Sequence, residues 1–287
     1  MTTGQPPLVS IVTPTYNSAR YLAELLRSVE TQDYPAIEHI VIDDGSQDDG
    51  ATVALLRDHA GVRWWSRENR GQYPTLNEGF RAATGEFVTT ISADDRYVDP
   101  GAIAAMARFL TEHPACDVVY GYTQHTDEAG RVLPVQPYQR YPPWMVKYKL
   151  GCFLHCSVLV RRERVTRDNL FFDESFRFTG DADWMVRLFI SGCNFSRIDR
   201  FIGAYRHHEL QVTTTATSDA AASARRRQEH ERIHSLYGTS RMLTRLIAAY
   251  DTFQQRRVKA VGAWRHGGPR QLWTLASQWL QRKGSRD

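Results

Sequence analysis

An α/β fold built on a doubly wound, mostly parallel sheet with helices on both faces is predicted for this chain of 287 residues. Short apolar runs that are typical of buried strands alternate with helical patterns through the first half of the chain. Acidic residues follow two of these runs directly, at Asp43-Asp44 and at Asp94-Asp95. Carboxylates at the carboxyl ends of parallel strands face the crevice in which open α/β sheets bind ligands.

The strands and helices of the first half are predicted in order from local patterns. The β-branched run at residues 8–13 is the first strand, and we expect it to end at Pro14 because proline cannot continue a central strand. Further strands are predicted at residues 37–42, 62–65, 86–91 and 117–122. Helices are predicted around residues 22–29 and 53–56, at 76–83, and from Asp99-Pro100 to about residue 112.

The pattern changes after residue 122. A hairpin turn is predicted at 127–131, and residues 134–149, rich in Pro, Tyr and Gln, are predicted to form a loop over a cleft. A strand at 156–160, a helix at 182–190 and strands at 195–198 and 201–205 follow. The C-terminal tail from residue 218 is predicted to be helical and basic.

Composition favours an ordinary cytosolic chain. The hydrophobic fraction is 42% and the net charge is +4, with most of the excess in residues 225–287. No apolar run approaches the roughly 20 residues needed to span a bilayer, and the N-terminus lacks a signal-peptide pattern. None of the four cysteines forms a C-x-x-C pair, so free thiols are expected. Zinc at Cys152, His155 and Cys156 is the alternative, but a fourth ligand and the usual spacing are missing.

Three acidic clusters indicate a phosphate-bearing ligand. Besides the two strand ends, the third is Gly180-Asp181-Ala182-Asp183. Clustered carboxylates in a crevice are unfavourable unless a cation or a hydrogen-bonding ligand offsets their charge. A metal-bound phosphate ester meets that requirement, so the clusters favour nucleotide chemistry. A Rossmann-type oxidoreductase would need G-x-G-x-x-G after the first strand, where this chain has Pro14-Thr15-Tyr16-Asn17.

Eight segments in this order carry a family resemblance. They are Val12-Thr13-Pro14-Thr15-Tyr16-Asn17; Ile42-Asp43-Asp44-Gly45-Ser46 with Asp48; Glu68-Asn69-Arg70-Gly71; Leu76-Asn77-Glu78-Gly79-Phe80, closed by Ala83-Thr84-Gly85-Glu86; Ala93-Asp94-Asp95; Phe172-Asp173-Glu174; Asp181-Ala182-Asp183-Trp184; and Tyr205-Arg206-His207-His208. Over roughly residues 8–215 the chain resembles the family 2 glycosyltransferases of the GT-A fold. It is similar in particular to the inverting spore-coat polysaccharide type.

The resemblance implies a division into domains. Residues 1–215 would form the GT-A domain, with 8–122 as the nucleotide-binding half and 123–215 as the acceptor-binding half. Residues 216–287 would form a basic amphipathic helical tail.

For the donor, the resemblance assigns Thr13, Pro14, Thr15 and Tyr16 to the nucleotide base. Asp44 would accept the imide N–H of a uracil-like ring, since an acceptor-only carboxylate rejects a base that offers another acceptor. Asp43 is expected to be structural. Arg70 is placed where a guanidinium reaches the base or diphosphate, and the alternative is a solvated loop arginine.

Asp94 and Asp95 correspond to the family's metal- and sugar-nucleotide-binding Asp-x-Asp motif. Carboxylates together with a diphosphate suit Mg²⁺ or Mn²⁺. The chain departs from the usual pattern at Ser92, where many relatives have the first aspartate. Which of Asp94 and Asp95 binds the metal, and which binds the ribose or sugar hydroxyls, therefore stays open. His208 is implied as a nitrogen ligand, which favours Mn²⁺ slightly, and the alternative is a packing residue.

Asp181 corresponds to the family's catalytic base. It is expected at a helix start, where the helix dipole would keep its pKa low, and we expect partial burial or Asp183 to raise it. Asp183 is the candidate for a structural or acceptor-contacting role, and Trp184, Met185 and Leu188 are expected to form the core face of this helix.

The expected activity is inverting, metal-dependent transfer of a sugar from a nucleotide-diphosphate donor, with a UDP-sugar favoured, to a hydroxyl of a glycan, lipid-linked glycan or small molecule. The alternative is a degenerate, non-catalytic domain that binds sugar nucleotides. No nucleic acid is expected as a partner. The tail stripe at residues 269–282 is interpreted either as a peripheral contact with the inner face of the membrane or as a surface that packs on the protein or in a homodimer.

Overall fold

A computed structural model describes residues 5–133, 141–150, 154–209, 211, 219–240, 242–247, 249–250 and 252–253. Its strands are β1 Val9–Thr15, β2 Ile37–Asp43, β3 Arg63–Ser66, β4 Phe87–Thr90, β5 Arg96–Tyr97, β6 Val118–Thr126, β7 Val158–Arg161 and β8 Phe195–Arg206. Its helices are α1 Ala19–Glu30, α2 Ala51–Arg57, α3 Gln72–Ala82, α4 Ala102–Glu112, α5 Arg162–Arg167, α6 Gly180–Ile190 and α7 Ala220–Leu236. Short 3-10 helices lie at Pro143–Lys147 and His155–Ser157.

The strands form one sheet in the order β3-β2-β1-β4-β7-β6-β8-β5. The first four are parallel to one another, and β6 and β8 are also parallel. Strand β7 runs antiparallel to both of its neighbours, and β5 runs antiparallel to β8. The predicted α/β class with a mostly parallel sheet is confirmed, and the antiparallel strands are confined to its second half.

Helices cover both faces of the sheet because side chains along each strand alternate between the faces. Val12 in β1 faces a core that also contains Phe80 of α3 and Trp184 of α6. Ile11 in β1 faces the opposite core, which contains Leu25 of α1 and Met106 of α4; all six side chains are fully or almost fully buried. The prediction of helices on both faces is confirmed.

The predicted end of the first strand at Pro14 is wrong. Pro14 pairs with Ile42 of β2, and β1 continues to Thr15. Strand β4 pairs only with residues 9–12 of β1, so the other edge of β1 has no neighbouring strand at Pro14. A proline is tolerated there because no ladder partner requires its missing N–H group.

The loop predicted over the cleft is partly structured. Residues 134–140 lie outside the described part of the chain. The rest contains the 3-10 helix Pro143–Lys147, whose Met145 and Val146 are buried in the core beneath α6, while Trp144 is 47% exposed. These two anchors were not visible in the sequence because a single 3-10 turn is too short to produce a hydrophobic period.

Candidate functional site

The carboxyl end of β2 carries two aspartates that make different contacts. Asp43 is buried and accepts hydrogen bonds from the hydroxyls of Ser46 and Ser66, each at 2.5 Å. Those contacts support its predicted structural role. Asp44, also buried, accepts the backbone N–H groups of Arg70 and Gly71, each at 2.9 Å, and forms an ion pair with Arg67. Its role toward a nucleotide base stays a prediction.

Arg67 is a residue that the motifs did not single out. Its guanidinium contacts Asp44, Glu78 at 2.8 Å and the Thr75 hydroxyl at 2.8 Å. It therefore joins the end of β2 to α3 and orients the carboxylate of Asp44. The sequence feature that could have identified Arg67 was its position directly before the matched segment that begins at Glu68.

The segment assigned to the nucleotide base leaves β1 beside Asp44. The Thr13 hydroxyl is buried against His39 at 3.1 Å, so Thr13 meets the core rather than the crevice. The Thr15 hydroxyl is buried and has no hydrogen-bond partner in the described part of the chain, whereas Tyr16 is 45% exposed. The side chain of Arg70 is exposed, and its guanidinium makes no hydrogen bond to a described residue. Of the residues assigned to the donor in this region, Tyr16 and Arg70 thus have exposed side chains.

The loop after β4 brings together the three residues predicted to bind a metal. The Nε2 atom of His208 lies 2.9 Å from Oδ2 of Asp94, and its ring packs against Tyr21 at 4.8 Å. Asp95 accepts the backbone N–H of Arg206 through Oδ1 at 3.0 Å, while its buried Oδ2 has no partner in the described part of the chain. Burial, and then the neighbouring charge of Asp94, raise the pKa of Asp95.

Arg206 holds His208 and the two aspartates in place. It is 3% exposed and donates to the carbonyl oxygens of Asp94 and Glu128, each at 2.9 Å, and to the carboxylate of Glu24 at 2.5 Å. The end of β8 is thereby joined to the loop after β4. The sequence placed Arg206 within a matched segment but did not indicate this role.

The donor atoms of this group suit Mn²⁺ or Mg²⁺. Two carboxylates and an imidazole leave room for diphosphate oxygens, and the unpartnered Oδ2 of Asp95 is an available ligand atom. Among the described residues, no group of three or more His, Cys, Asp or Glu side chains is arranged so that it could hold a metal ion. Protein ligands would thus be only part of the coordination, with the substrate supplying the rest.

The zinc alternative is not supported within the described residues. Cys152 lies outside them, and Cys156 is fully buried. The ring of His155 contacts Ser92 and Asp181 instead of a cysteine.

Asp181 lies at the start of α6 and is 30% exposed. The Tyr73 hydroxyl accepts the N–H of Gly180 at 2.8 Å, and a Cβ at Gly180 would lie 2.7 Å from the Tyr73 ring, so a glycine is required. Burial opposes ionisation of Asp181, but the nearby imidazole of His155 and the N–H groups of the helix start lower its pKa overall. Burial thus acts in the expected direction, but it is outweighed, so the expected net rise of this pKa is wrong.

Asp183 faces away from the crevice. It is 1% exposed and binds Arg187 at 2.7 Å and the Tyr237 hydroxyl at 2.5 Å. These contacts give it the structural role that the sequence offered as one alternative. The three apolar residues of the same helix are buried, as predicted: Trp184, Met185 and Leu188.

Helix α7 stabilises the chain segment that precedes Asp181. The buried carboxylate of Glu229 accepts the backbone N–H groups of residues 177, 178 and 179, at 2.9 to 3.1 Å. On the same helix, Arg232 binds Asp173 at 3.0 Å, and Ile233 is buried in the core. The first helix of the predicted tail therefore packs on the protein directly before the candidate base.

Comparisons with known proteins identify the family. The family model described as Glycosyl transferase family 2 matches residues 10–171. The chain belongs to glycosyltransferase family 2. An uncharacterised glycosyltransferase of Rickettsia typhi is 33% identical to it over 218 residues, which are 73% of this chain and 67% of that relative.

Two solved structures share the fold of this family 2 glycosyltransferase. S. aureus TarS (residues 1–349), in complex with UDP-GlcNAc, has a TM-score of 0.60 and 22% identity over 71% of this chain and 60% of its own. The mannosyltransferase PcManGT of Pyrobaculum calidifontis, in complex with GDP-Man and Mn²⁺, has a TM-score of 0.62 and 18% identity over 97% of this chain and 81% of its own. The predicted GT-A fold is thereby confirmed. In its UDP-GlcNAc complex, less than two thirds of the TarS fragment is covered by this chain.

Proposed function

We propose that this glycosyltransferase is a metal-dependent inverting enzyme that uses a nucleotide-diphosphate sugar, with a UDP-sugar favoured. The observation that carries the proposal is the meeting of three parts of the chain at one crevice. Asp94, Asp95 and His208 lie on its donor side, and Asp181 lies across His155 from the same loop. The nucleotide sugars bound by TarS and PcManGT support the choice of donor class.

Asp181 is the general base in this proposal. Its carboxylate takes the proton of an acceptor hydroxyl, whose oxygen forms a bond to the anomeric carbon on the face opposite the diphosphate. The bond from that carbon to the diphosphate oxygen breaks, and the nucleoside diphosphate leaves with the electron pair. The configuration at the anomeric carbon is inverted because attack and departure occur on opposite faces.

The donor is held by the residues around the carboxyl ends of β1, β2 and β4. Tyr16 and Arg70 are exposed and would contact the base and diphosphate, and Asp44 accepts the backbone N–H of Arg70 beside them. Asp94, Asp95 and His208 would hold Mn²⁺ or Mg²⁺, which offsets the charge that develops on a leaving diphosphate.

Calorimetric titration with UDP and Mn²⁺, followed by a screen of UDP-, GDP- and dTDP-sugars for hydrolysis and transfer, tests the proposal. We expect binding that requires the metal, and release of nucleoside diphosphate from one donor class. Absence of binding by any nucleotide would contradict the proposal.

A second candidate function is non-catalytic binding of a sugar nucleotide. The observation that favours it is Ser92, which replaces an acidic residue of the usual motif and whose hydroxyl lies 3.0 Å from His155. Binding of UDP and Mn²⁺ without hydrolysis or transfer across the donor screen would select this function.

The C-terminal residues support a peripheral location at an anionic membrane, where a glycan or lipid-linked acceptor would be reached. Exposed apolar side chains recur after α7 at helical spacing: Met242, Leu246, Tyr250 and Phe253. Residues 254–287 contain eight Lys and Arg residues and one acidic residue. The stripe at 269–282 lies outside the described residues, and no described helix has the length and hydropathy needed to cross a bilayer. A homodimer through the same surface is the alternative.

A further inference from the structure

We propose that His155 is a positioning residue that joins the donor-binding loop to the catalytic base. The proposal rests on the proposed function, since it deepens the role of Asp181. The Nε2 atom of His155 lies 3.0 Å from the Ser92 hydroxyl, two residues before Asp94. Its Nδ1 atom lies 3.6 Å from Oδ2 of Asp181, within ion-pair range and slightly beyond a normal hydrogen bond.

The topology of the sheet places His155 between these two groups. Strand β7 runs antiparallel to β4, with Val160 opposite Val88. The start of β7 therefore lies beside the carboxyl end of β4, and the 3-10 helix His155–Ser157 leads directly into β7. Ser92 and His155 are 63 residues apart in sequence but are neighbours because of this pairing.

His155 is 9% exposed, so its ring is held in one position between the loop after β4 and the start of α6. A buried imidazole with a carboxylate on one nitrogen and a hydroxyl on the other has little freedom to rotate. The ring thereby orients the Asp181 carboxylate relative to the loop that carries Asp94 and Asp95. General-base catalysis depends on this orientation because a misplaced carboxylate does not reach the acceptor hydroxyl.

Electrostatics support the same role. Burial lowers the pKa of His155, but the contact with Asp181 and the charges of Asp95 and Asp94 raise it overall. The imidazole thus favours the ionised form of Asp181 in a crevice that already holds two other carboxylates.

Other ionisable groups lie on the elements packed around His155 and Asp181. Tyr73 on α3 and His230 on α7 both interact with Asp181. Glu229 on α7 is occupied by the backbone before α6, and Asp183 by Arg187 and Tyr237. Among these groups, only His155 contacts both Ser92 in the loop after β4 and Asp181 at the start of α6, so replacing it tests the link between them.

The first test measures the titration of the His155 imidazole by NMR in the metal-free protein, so it does not require activity. Asp181→Asn should lower the pKa of His155, because burial would no longer be opposed by the neighbouring carboxylate. Asp173→Asn is the control: it removes one carboxylate charge at a residue that contacts Ser175 and Arg232. This variant should leave the titration of His155 unchanged. An unchanged pKa of His155 in Asp181→Asn would overturn the proposal.

The second test is kinetic. His155→Gln should lower kcat by roughly 10-fold to 100-fold, the scale of a misoriented catalytic group, while UDP affinity stays near wild type. The acidic limb of the pH profile should move to higher pH, because Asp181 would lose the group that lowers its pKa. His59→Gln, which replaces a ring that hydrogen-bonds to the Leu55 carbonyl, is the matched control.

A purely structural role for His155 predicts a different result. It would lower stability or the amount of active protein without moving the pH profile, and that outcome would refute the proposal. Ser92→Ala provides a second variant in case His155→Gln does not fold, and it should reduce kcat in the same direction but less. A wild-type protein that transfers no sugar would contradict the proposed function, whereas the NMR titration would still report on the contact itself.

Discussion

At the scale of single residues, the site depends on how its carboxylates are partnered. Asp43 and Asp183 are saturated by hydroxyl and guanidinium groups, so their charges serve the fold. Asp181 and Asp94 instead keep partial exposure, 30% and 23%, and each faces a histidine. Partly exposed carboxylates paired with imidazoles remain available to a substrate or a cation, which is why we place the chemistry on them.

Replacing the proposed base tests its role directly. Asp181→Asn should lower transfer by at least about 10²-fold, the usual contribution of general-base catalysis, because an amide cannot accept the proton. UDP binding should stay near wild type since Asp181 is not on the donor side. Steady-state kinetics and calorimetry measure both, and Asp99→Asn, on a surface ion pair, is the control. Near-normal turnover would remove Asp181 from the mechanism.

The metal prediction concerns the donor side. Asp94→Ala and Asp95→Ala should each weaken binding of UDP in the presence of Mn²⁺, and the larger metal-dependent loss should identify the principal ligand. His208→Ala should raise the metal concentration needed for activity. Full activity of the wild type in EDTA would contradict metal dependence, and an unchanged metal titration of His208→Ala would make His208 a packing residue.

At the scale of elements, helix α7 belongs structurally with the segment that precedes α6. Three backbone N–H groups, at residues 177–179, are satisfied by one carboxylate on a helix about 50 residues later in the chain. Buried backbone donors require such partners because an unpaired buried N–H group is costly. The position of Asp181 therefore depends on a helix that the sequence assigned to the tail.

Removing that carboxylate should destabilise the protein and misplace the base. Glu229→Ala should lower the free energy of unfolding by roughly 2 to 3 kcal/mol, as expected for buried donors left without a charged acceptor. We also expect kcat to fall more than UDP affinity, because the donor side is not altered. Urea denaturation and kinetics provide the measurements. Glu231→Ala, an exposed residue on the same helix, should change neither quantity, and an equal effect of both variants would refute this account.

At the scale of the whole molecule, the proposed donor side and the proposed base are built from different parts of the chain. The donor side is built from β1, β2 and β4 within the first 100 residues, together with the end of β8. The proposed base is carried by α6, and the segment before it is stabilised by α7. The exposed apolar residues of the proposed membrane contact, Met242, Leu246, Tyr250 and Phe253, follow that same helix in the chain.

Liposome binding tests the membrane proposal. Full-length protein should co-sediment with anionic liposomes at low salt. A chain ending at Gly268 should bind less because it lacks residues 269–282, the predicted membrane-contact segment, and several basic residues. Leu246→Glu should also weaken binding, whereas Glu231→Ala should not. Equal recovery of all forms in the supernatant would exclude membrane docking, and a concentration-dependent mass in solution would favour the homodimer.

Much of the site could be predicted from sequence because its residues lie at the ends of local patterns. The positions of Asp44 and Asp94-Asp95 were predicted from apolar runs that are followed by carboxylates. Asp44 lies directly after β2, and Asp94-Asp95 lie in the loop that follows β4. Short elements escaped prediction: β5 has two residues and α5 has six, too few for a hydrophobic period. The 12-residue β8 was predicted as two strands because polar residues interrupt its apolar pattern, and its pairing with β6 is interrupted at the same place, between Arg197 and Phe201.

The sequence by itself determined the family, the α/β class and the residues that could carry chemistry, because strand ends, turns and motif order are local properties of the chain. Only the tertiary structure decided which of these residues meet. Arg206 binds Glu24 across 182 residues, and His155 contacts Ser92 across 63. Such contacts depend on strand order and on helix packing, which arise from burial over the whole domain and leave no periodic signal at either partner.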